Sequence, residues 1–145
     1  MANFQLAQIN IAHMLGAKED PIMKEFVDFL DPINQLADDS PGFVWRLVGE
    51  PTEPSPWPDR VIINMSVWES LEDLKNFTYH TVHSYFVRSR KKWFQHLGRP
   101  HYVLWWVPAG HIPTLAEAAV KLKQLDREGP TATAFNFQRT YAPGA

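Results

Sequence analysis

The chain has 145 residues, 45% of them hydrophobic and 13% aromatic, and a formal net charge of −2 at pH 7. This size and composition fit one domain with a sizeable core, so we expect a single domain over residues 1–145. The absence of cysteine excludes disulfides and thiolate chemistry, and the small net charge gives no general attraction for nucleic acid or an anionic membrane. The longest mainly apolar run, residues 102–109, is too short to span a bilayer, and no signal peptide is visible, so we expect a cytoplasmic protein.

The first predicted elements are a strand and a helix. Residues 4–14 alternate in character, with one apolar side and one mixed side, as a half-buried strand does. The apolar side carries Ala7, Ile9 and Ile11, and the mixed side carries Leu6, Gln8, Asn10 and Ala12. Asp20 and Pro21 are typical of a helix start. Apolar residues then recur at helical spacing as far as Ala37, and Pro32 within this pattern predicts a kink or a split.

Two further strands follow, at residues 42–50 and 61–68, separated by a proline-rich loop. Four of the nine loop residues, 51–59, are prolines that lack a backbone donor, so this segment cannot be a central strand. The strand at 61–68 has an apolar face and a more polar face, and the polar face carries Asn64, Ser66 and Trp68.

The next helix is predicted to begin at Ser70, where Asp73 three residues later approximates a capping box. We expect a break near residues 78–81 and a continuation of the helix as far as Gly98. Residues 101–107 are apolar throughout, which indicates a strand covered on both faces.

The C-terminal elements are a helix and a strand. Thr114 and Glu117 form a capping box for the helix, and Gly129 ends it. Residues 134–141 are predicted to form the last strand.

The order of these elements, β-α-β-β-α-β followed by α-β, predicts an α+β fold with a ferredoxin-like antiparallel sheet and helices on one face. The other face would then expose an apolar patch that is too large for a monomer in water. This patch would contain Ile9, Ile11, Ile63 and Val67. We therefore expect a homodimer in which two sheets pack face to face as a dimeric α/β barrel.

Four stretches of the chain resemble a bacterial family defined only as a domain of unknown function, which is grouped with the dimeric α/β-barrel superfamily. They are SPGFVWRL at 40–47, VWESLEDLKNFTYHTVH at 67–83, RSRKKWF at 88–94 and LWWVPAGHIPTLAEA at 104–118. That superfamily includes the antibiotic-biosynthesis monooxygenases. The resemblance implies the dimeric fold and says little about the reaction.

Some monooxygenases of this superfamily oxidise aromatic polyketides without a cofactor, using an Asn and a Trp at the end of the third strand and an Arg on the next helix. Asn64, Trp68 and Arg88 occupy similar places, so the resemblance implies these as catalytic residues. All three side chains are hydrogen-bond donors, which suits a substrate that becomes a carbanion. Leu74 stands where those enzymes carry a tyrosine, and Tyr79 or Tyr85 would have to replace it.

The haem-degrading members of the superfamily imply an alternative, with Asn10 and His83 as candidates by element. His80 and His83 share a helical face at i and i+3, so they could line a pocket, move a proton, hold a metal or lie on the surface. Arg46 could face a bound anion or form an ion pair at a dimer edge.

We therefore expect a small-molecule enzyme, with cofactor-independent oxygenation of an aromatic or phenolic substrate in a cleft between sheet and helices as the leading reaction. Haem binding or degradation, and binding without turnover, are the alternatives. No cofactor, apart from haem in that alternative, and no metal, nucleic acid or membrane partner is expected. The basic run at residues 88–92 reads as a solvated helix face.

Overall fold

The structure, a computed structural model, describes residues 3–17, 19–48, 56–57, 61–80, 88, 92–95 and 100–144. The strands are β1 (Phe4–His13), β2 (Phe43–Arg46), β3 (Val61–Trp68) and β4 (Tyr102–Pro108), and the helices are α1 (Lys24–Asp38), α2 (Leu71–His80) and α3 (Leu115–Glu128). The strands form one sheet in the order β2-β3-β1-β4, with every neighbouring pair antiparallel. This confirms the α+β class, and the topology is that of the ferredoxin-like pattern.

The helices lie on both faces of this sheet. Alternate residues of each strand point to opposite faces, so Leu6, Trp68 and Leu104 share one face, where they pack with α1 and α2. The opposite face packs against α3 through its residues Leu115, Ala118, Leu122 and Leu125. The expectation of helices on one face is therefore right for the β-α-β-β-α-β core and wrong for the third helix.

The position of α3 removes the reason given for a homodimer. Of the four residues expected on an uncovered face, Ile9 and Val67 are fully buried within the single chain and Ile11 is 7% exposed. Ile63 is partly buried against the same cluster. An apolar face that the chain covers itself does not require a second subunit. The homodimer stays a prediction, without support from this argument.

The start of α1 is as the sequence predicts, and the helix is not split at Pro32. Asp20 Oδ1 accepts a hydrogen bond from Ile22 N at 3.0 Å, and a 3-10 turn over Pro21–Met23 leads into the helix. The helix then continues through Pro32 to Asp38, so the predicted split is wrong. The exposed proline ring points away from the core, while Ile33 and Ala37 pack on the sheet side. Before the proline, Phe26 and Val27 pack with Met14, Met23 and Trp93, so packing holds both halves of the helix in place.

The capped start of α2 is confirmed, because Ser70 Oγ accepts from Asp73 N at 3.1 Å and donates to Asp73 Oδ2 at 2.9 Å. The helix passes through Thr78 and is described as far as His80, so the expected break near residues 78–81 stays a prediction. Residues 81–87 lie outside the described part of the chain.

The predicted continuation of this helix to Gly98 is wrong at residues 92–95. There the backbone pairs with the end of β1, through Leu15 N to Trp93 O at 2.8 Å and Gln95 N to His13 O at 2.9 Å. Trp93 is 2% exposed and packs with Met14 and Met23 in a small cluster of its own. Burial of this indole favours strand-like pairing over helix.

The predicted strand at residues 134–141 is also wrong. Only Phe135 pairs with the sheet, exchanging two backbone hydrogen bonds with Leu104 at 2.8 and 2.9 Å. Asn136 Oδ1 then accepts from the backbone N–H of Gln138 and of Arg139, both at 3.0 Å, and this turns the chain away. Strand β2 likewise ends at Arg46, short of the expected residue 50; residues 49–50 and most of the proline-rich loop lie outside the described ranges.

Candidate functional site

A cleft of about 400 Å³ lies between α1, α2 and the sheet face that these two helices cover. Apolar side chains form its walls: Phe26, Leu30 and Ile33 from α1, and Leu74 and Phe77 from α2. The helical spacing of these residues, three or four apart, brings them to one side of each helix. Such a concave, mostly apolar space is typical of a small-molecule site.

The floor of the cleft is a row of polar side chains on β1 and β3. Gln8 Nε2 donates to Asn64 Oδ1 at 2.8 Å and to Ser66 Oγ at 2.7 Å. Trp68 Nε1 donates to the same Ser66 Oγ at 2.9 Å. Gln8 and Ser66, at 8% and 6% exposure, are the two buried polar residues of the described ranges, while Asn64 is open to solvent through the cleft. The row therefore runs from an accessible amide to a fully buried indole.

Cross-strand register explains how these residues meet. Antiparallel pairing places Gln8 opposite Ser66 and Asn10 opposite Asn64. Side chains of directly opposed residues lie on the same face and within contact distance. Among the residues that the structure describes, the Asn10 side-chain amide and Asn64 Nδ2 have no hydrogen-bond partner.

The aromatic ring of Trp68 is fixed by its neighbours. It stacks on Phe77 with ring centroids 5.2 Å apart and meets Phe43 edge-on at 5.5 Å. Its side chain is 1% exposed. The indole N–H, which the resemblance implies as a donor to substrate, is therefore committed to Ser66.

A second aromatic group closes the cleft beside β4. Tyr102 Oη accepts a hydrogen bond from Phe137 N at 3.2 Å, and burial raises the pKa of this phenol. Phe137 also meets the ring of Tyr79 edge-on at 5.3 Å, and Tyr79 is 44% exposed at the rim.

The charge at the cleft wall is paired within the chain. Arg46 Nε and Nη2 donate to the two carboxylate oxygens of Asp38 at 2.7 and 3.2 Å. The hydrogen bond from Arg46 lowers the pKa of Asp38. Contact with a bound anion and an ion pair at a dimer edge, the two roles that the sequence left open for Arg46, stay predictions.

The structure thus brings five of the eight candidate residues to one cleft. They are Asn10, Arg46, Asn64, Trp68 and Tyr79. Arg88 is exposed and is not among the described residues that line the cleft. The side chain of His80 and all of His83 lie outside the described part of the chain, so their predicted roles stay predictions.

The sequence analysis did not single out Gln8 or Tyr102 as site residues, whereas it placed Ser66 on the polar face with Asn64 and Trp68. The signal for Gln8 was its place on the mixed face of β1, in phase with Asn10. Tyr102 carried no comparable signal, because its strand is apolar on both faces.

A second polar cluster lies on the other side of the sheet, where β4 meets α3. Trp105 Nε1 donates to Glu117 Oε2 at 2.8 Å, and His111 Nε2 lies 2.7 Å from Glu117 Oε1. Burial alone would raise the pKa of Glu117, but the hydrogen bonds from His111 and Trp105 outweigh it and lower the pKa. Thr114 Oγ1 accepts from Glu117 N at 3.1 Å as the predicted cap, so this cluster anchors the start of α3.

Within the described ranges, no three His, Asp or Glu side chains are grouped so that they could hold a metal ion. In the same part of the chain, no helix is both long enough and apolar enough to cross a membrane.

Comparison with known proteins adds one finding. No curated protein matches the chain. The family profile of the domain of unknown function DUF3291 matches residues 5–145, which is nearly the whole sequence. On this match, the chain belongs to the DUF3291 family.

Proposed function

We propose that the protein binds a mostly apolar, ring-containing small molecule with at least one oxygen atom in the cleft between the sheet and helices α1 and α2. The observation that carries this proposal is the polar floor beneath aromatic and aliphatic walls, in a cleft of about 400 Å³. Binding sites for small molecules combine these two features, because apolar walls supply affinity and a few polar groups fix orientation.

The charges around the cleft favour a neutral ligand. Arg46 is the one Lys, Arg, Asp or Glu side chain among the described lining residues, and Asp38 neutralises it. Amides, hydroxyls, the indole of Trp68 and the imidazole of His101 are the remaining polar groups of the described lining. A ligand with a full charge would be moved from water into this space without a partner of opposite charge, which is costly.

The experiment is a titration of the protein with 1-naphthol, a neutral bicyclic phenol, measured by isothermal titration calorimetry. We expect saturable binding to the wild-type protein. Ile33→Trp, which places an indole in the cleft, should weaken it by roughly tenfold or more, since a filled cleft has no room for the rings. Val120→Trp is the matched control, because Val120 lies on α3 and is 63% exposed.

Two results would contradict the proposal. One is the absence of saturable binding by the wild type. The other is equal binding by Ile33→Trp and Val120→Trp, which would place the bound naphthol outside the cleft.

A second candidate function is cofactor-independent oxygenation in the same cleft, favoured by the accessible amide of Asn64. In this reaction an activated CH₂ group becomes a carbonyl: one atom of O₂ enters the product and the other leaves as water with the two hydrogens. Asn64 would donate to the substrate oxygen, and His80 or His83 would move the proton. Arg88, which the resemblance implies for the developing negative charge, is outside the described lining, so the cleft gives that role no support. Trp68 would act through Ser66, because its N–H is already bonded there.

Oxygen uptake with anthrone tests this candidate. We expect uptake above the spontaneous rate in the wild type and a fall of roughly tenfold or more in Asn64→Ala. If the wild type binds 1-naphthol but does not accelerate oxygen uptake, oxygenation of anthrone-type substrates is not its function and the binding role stands.

A further inference from the structure

The hydroxyl of Ser66 has its hydrogen-bonding capacity almost fully assigned. A serine hydroxyl can accept two hydrogen bonds and donate one. Gln8 Nε2 donates to Ser66 Oγ at 2.7 Å, and Trp68 Nε1 donates to it at 2.9 Å. Both acceptor positions are therefore used within the chain, and the hydroxyl can only donate to any further partner.

No described residue accepts that remaining proton. Ser66 lines the cleft and is 6% exposed, so its O–H is a buried donor that faces the cleft. A buried donor without a partner costs roughly 1–3 kcal/mol. A ligand oxygen placed over Ser66 would recover this energy, which an apolar ligand could not do.

We propose that Ser66 donates a hydrogen bond to a carbonyl oxygen of the bound molecule and so selects ring ketones over hydrocarbons of the same shape. This inference rests on the proposed binding function of the cleft and specifies the chemical class of its ligand. Gln8 and Trp68 are positioning residues in this arrangement, because they occupy the acceptor sites of the hydroxyl and direct its proton toward the ligand.

The surroundings of Ser66 hold this orientation in place. Trp68 cannot turn its N–H elsewhere without leaving its stack on Phe77. Gln8 uses both protons of Nε2, one on Ser66 and one on Asn64 Oδ1 at 2.8 Å. The donor is therefore preorganised before the ligand arrives, which favours affinity because no ordering cost is left for binding.

The test compares 1-tetralone with tetralin, a ketone and a hydrocarbon of nearly the same shape. Calorimetric titration of the wild type should show binding of both. Ser66→Ala should weaken 1-tetralone binding by roughly 5- to 20-fold and change tetralin binding by less than about twofold, because only the ketone loses a hydrogen bond. Ser66→Thr keeps the hydroxyl and should retain the affinity for 1-tetralone.

Removal of the hydroxyl also leaves Gln8 and Trp68 without their acceptor, so Ser66→Ala could lower stability. Infrared difference spectra of the wild type alone provide a second measurement. The carbonyl stretch of bound 1-tetralone should lie at lower frequency than in hexane, because donation from Ser66 weakens the C=O bond. Trp68→Phe frees one acceptor site on Ser66, so the carbonyl band should broaden or shift back toward its position in hexane.

The outcomes separate the two proposals. If both compounds bind and the carbonyl frequency equals that in hexane, or if Ser66→Ala weakens both compounds equally, the role of Ser66 is overturned and the binding function stands. If neither compound nor 1-naphthol binds, the binding function itself fails and the role of Ser66 fails with it.

Discussion

Glu117 is a single carboxylate that joins strand β4 to the start of α3. One oxygen accepts from the buried indole of Trp105 at 2.8 Å, and the other lies 2.7 Å from His111 Nε2. Because these contacts favour the ionised form, the pKa of Glu117 lies below its ordinary value. A depressed pKa means that the carboxylate stabilises the folded state above its unfolded pKa, and that this contribution is lost as the pH falls through its folded pKa.

The first prediction concerns this pH dependence. Glu117→Gln keeps an oxygen for Trp105 and removes the charge, so its free energy of unfolding should fall below that of the wild type at pH 7. The difference should shrink as the pH falls below about 4. Urea unfolding of both proteins between pH 7 and pH 3 measures this. A constant difference across the range would show that the charge of Glu117 does not stabilise the fold.

Glu117→Ala separates the hydrogen bond from the charge. It leaves Trp105 Nε1 without its acceptor, although the ring is 1% exposed. The loss of unfolding free energy should exceed that of Glu117→Gln by about 1–3 kcal/mol at pH 7. Equal losses in the two variants would mean that Trp105 finds another acceptor.

The second prediction concerns Gly42, which has a φ of 80° in the turn before β2. A Cβ at this position would collide with the carboxylate of Asp73, the residue that caps α2 with Ser70. Gly110 has a similar φ of 89° and open space around it, so Gly110→Ala costs only the backbone strain. Gly42→Ala should therefore destabilise the protein by about 1–2 kcal/mol more than Gly110→Ala, as measured by urea unfolding. Equal effects would show that Asp73 moves aside at no cost.

At the scale of single residues, the polar face of the site could be predicted and its internal bonding could not. Alternation along the two strands was enough to place Asn10, Asn64 and Trp68 on one side. The sequence contains no information that Trp68 donates to Ser66, because that bond depends on the side-chain conformations imposed by Phe43 and Phe77. Arg88, chosen by resemblance, is exposed and absent from the described lining.

At the scale of elements, Pro32 is a position where tertiary packing outweighs the low helix propensity of the residue. A proline inside a helix removes one backbone hydrogen bond and crowds the preceding turn. The helix nevertheless runs unbroken from Lys24 to Asp38, because Ile33 and Ala37 after Pro32 pack on the sheet and Phe26 before it packs with Trp93. The helix therefore carries an energetic cost that other contacts offset.

The third prediction follows from this cost. Pro32→Ala should raise the free energy of unfolding by about 1 kcal/mol or more, since it restores the donor at an exposed position without disturbing the core. Urea unfolding measures the change, and Pro41→Ala, at an exposed position in the turn after α1, is the matched control. A Pro32→Ala variant less stable than the wild type would show that the proline supports the helix in a way that packing does not explain.

Other elements were mispredicted for a related reason. Residues 92–95 and 134–141 have the composition of helix and strand, yet the burial of Trp93 and Phe135 decides their backbone. In both places one large side chain enters a core that other parts of the chain build. Local patterning cannot reveal such a position, whereas strongly periodic segments such as β1, β3 and α3 were predicted at nearly their observed bounds.

At the scale of the whole molecule, α3 determines whether the sheet is covered by helices on both faces or on one. Its buried residues Leu115, Ala118, Leu122 and Leu125 cover Ala7, Ile9 and Val67, which are fully buried. Without α3 this face would be the apolar patch that the sequence suggested. The topology of the sheet could be predicted from element order, but the side on which the last helix packs could not.

The last prediction tests this role of α3. Leu122→Asp places a charge in the α3–sheet contact, where a buried unpaired carboxylate is strongly unfavourable, so the helix should detach or the core should loosen. The exposed sheet face should then drive self-association, visible as a sedimentation coefficient that rises with protein concentration more steeply than in the wild type. Val120→Asp, on the solvent side of the same helix at 63% exposure, should sediment as the wild type does. If Leu122→Asp instead sediments as the wild type does, with an unchanged free energy of unfolding, α3 is not what prevents this sheet face from associating. Any homodimer would then form through a surface that this variant leaves intact.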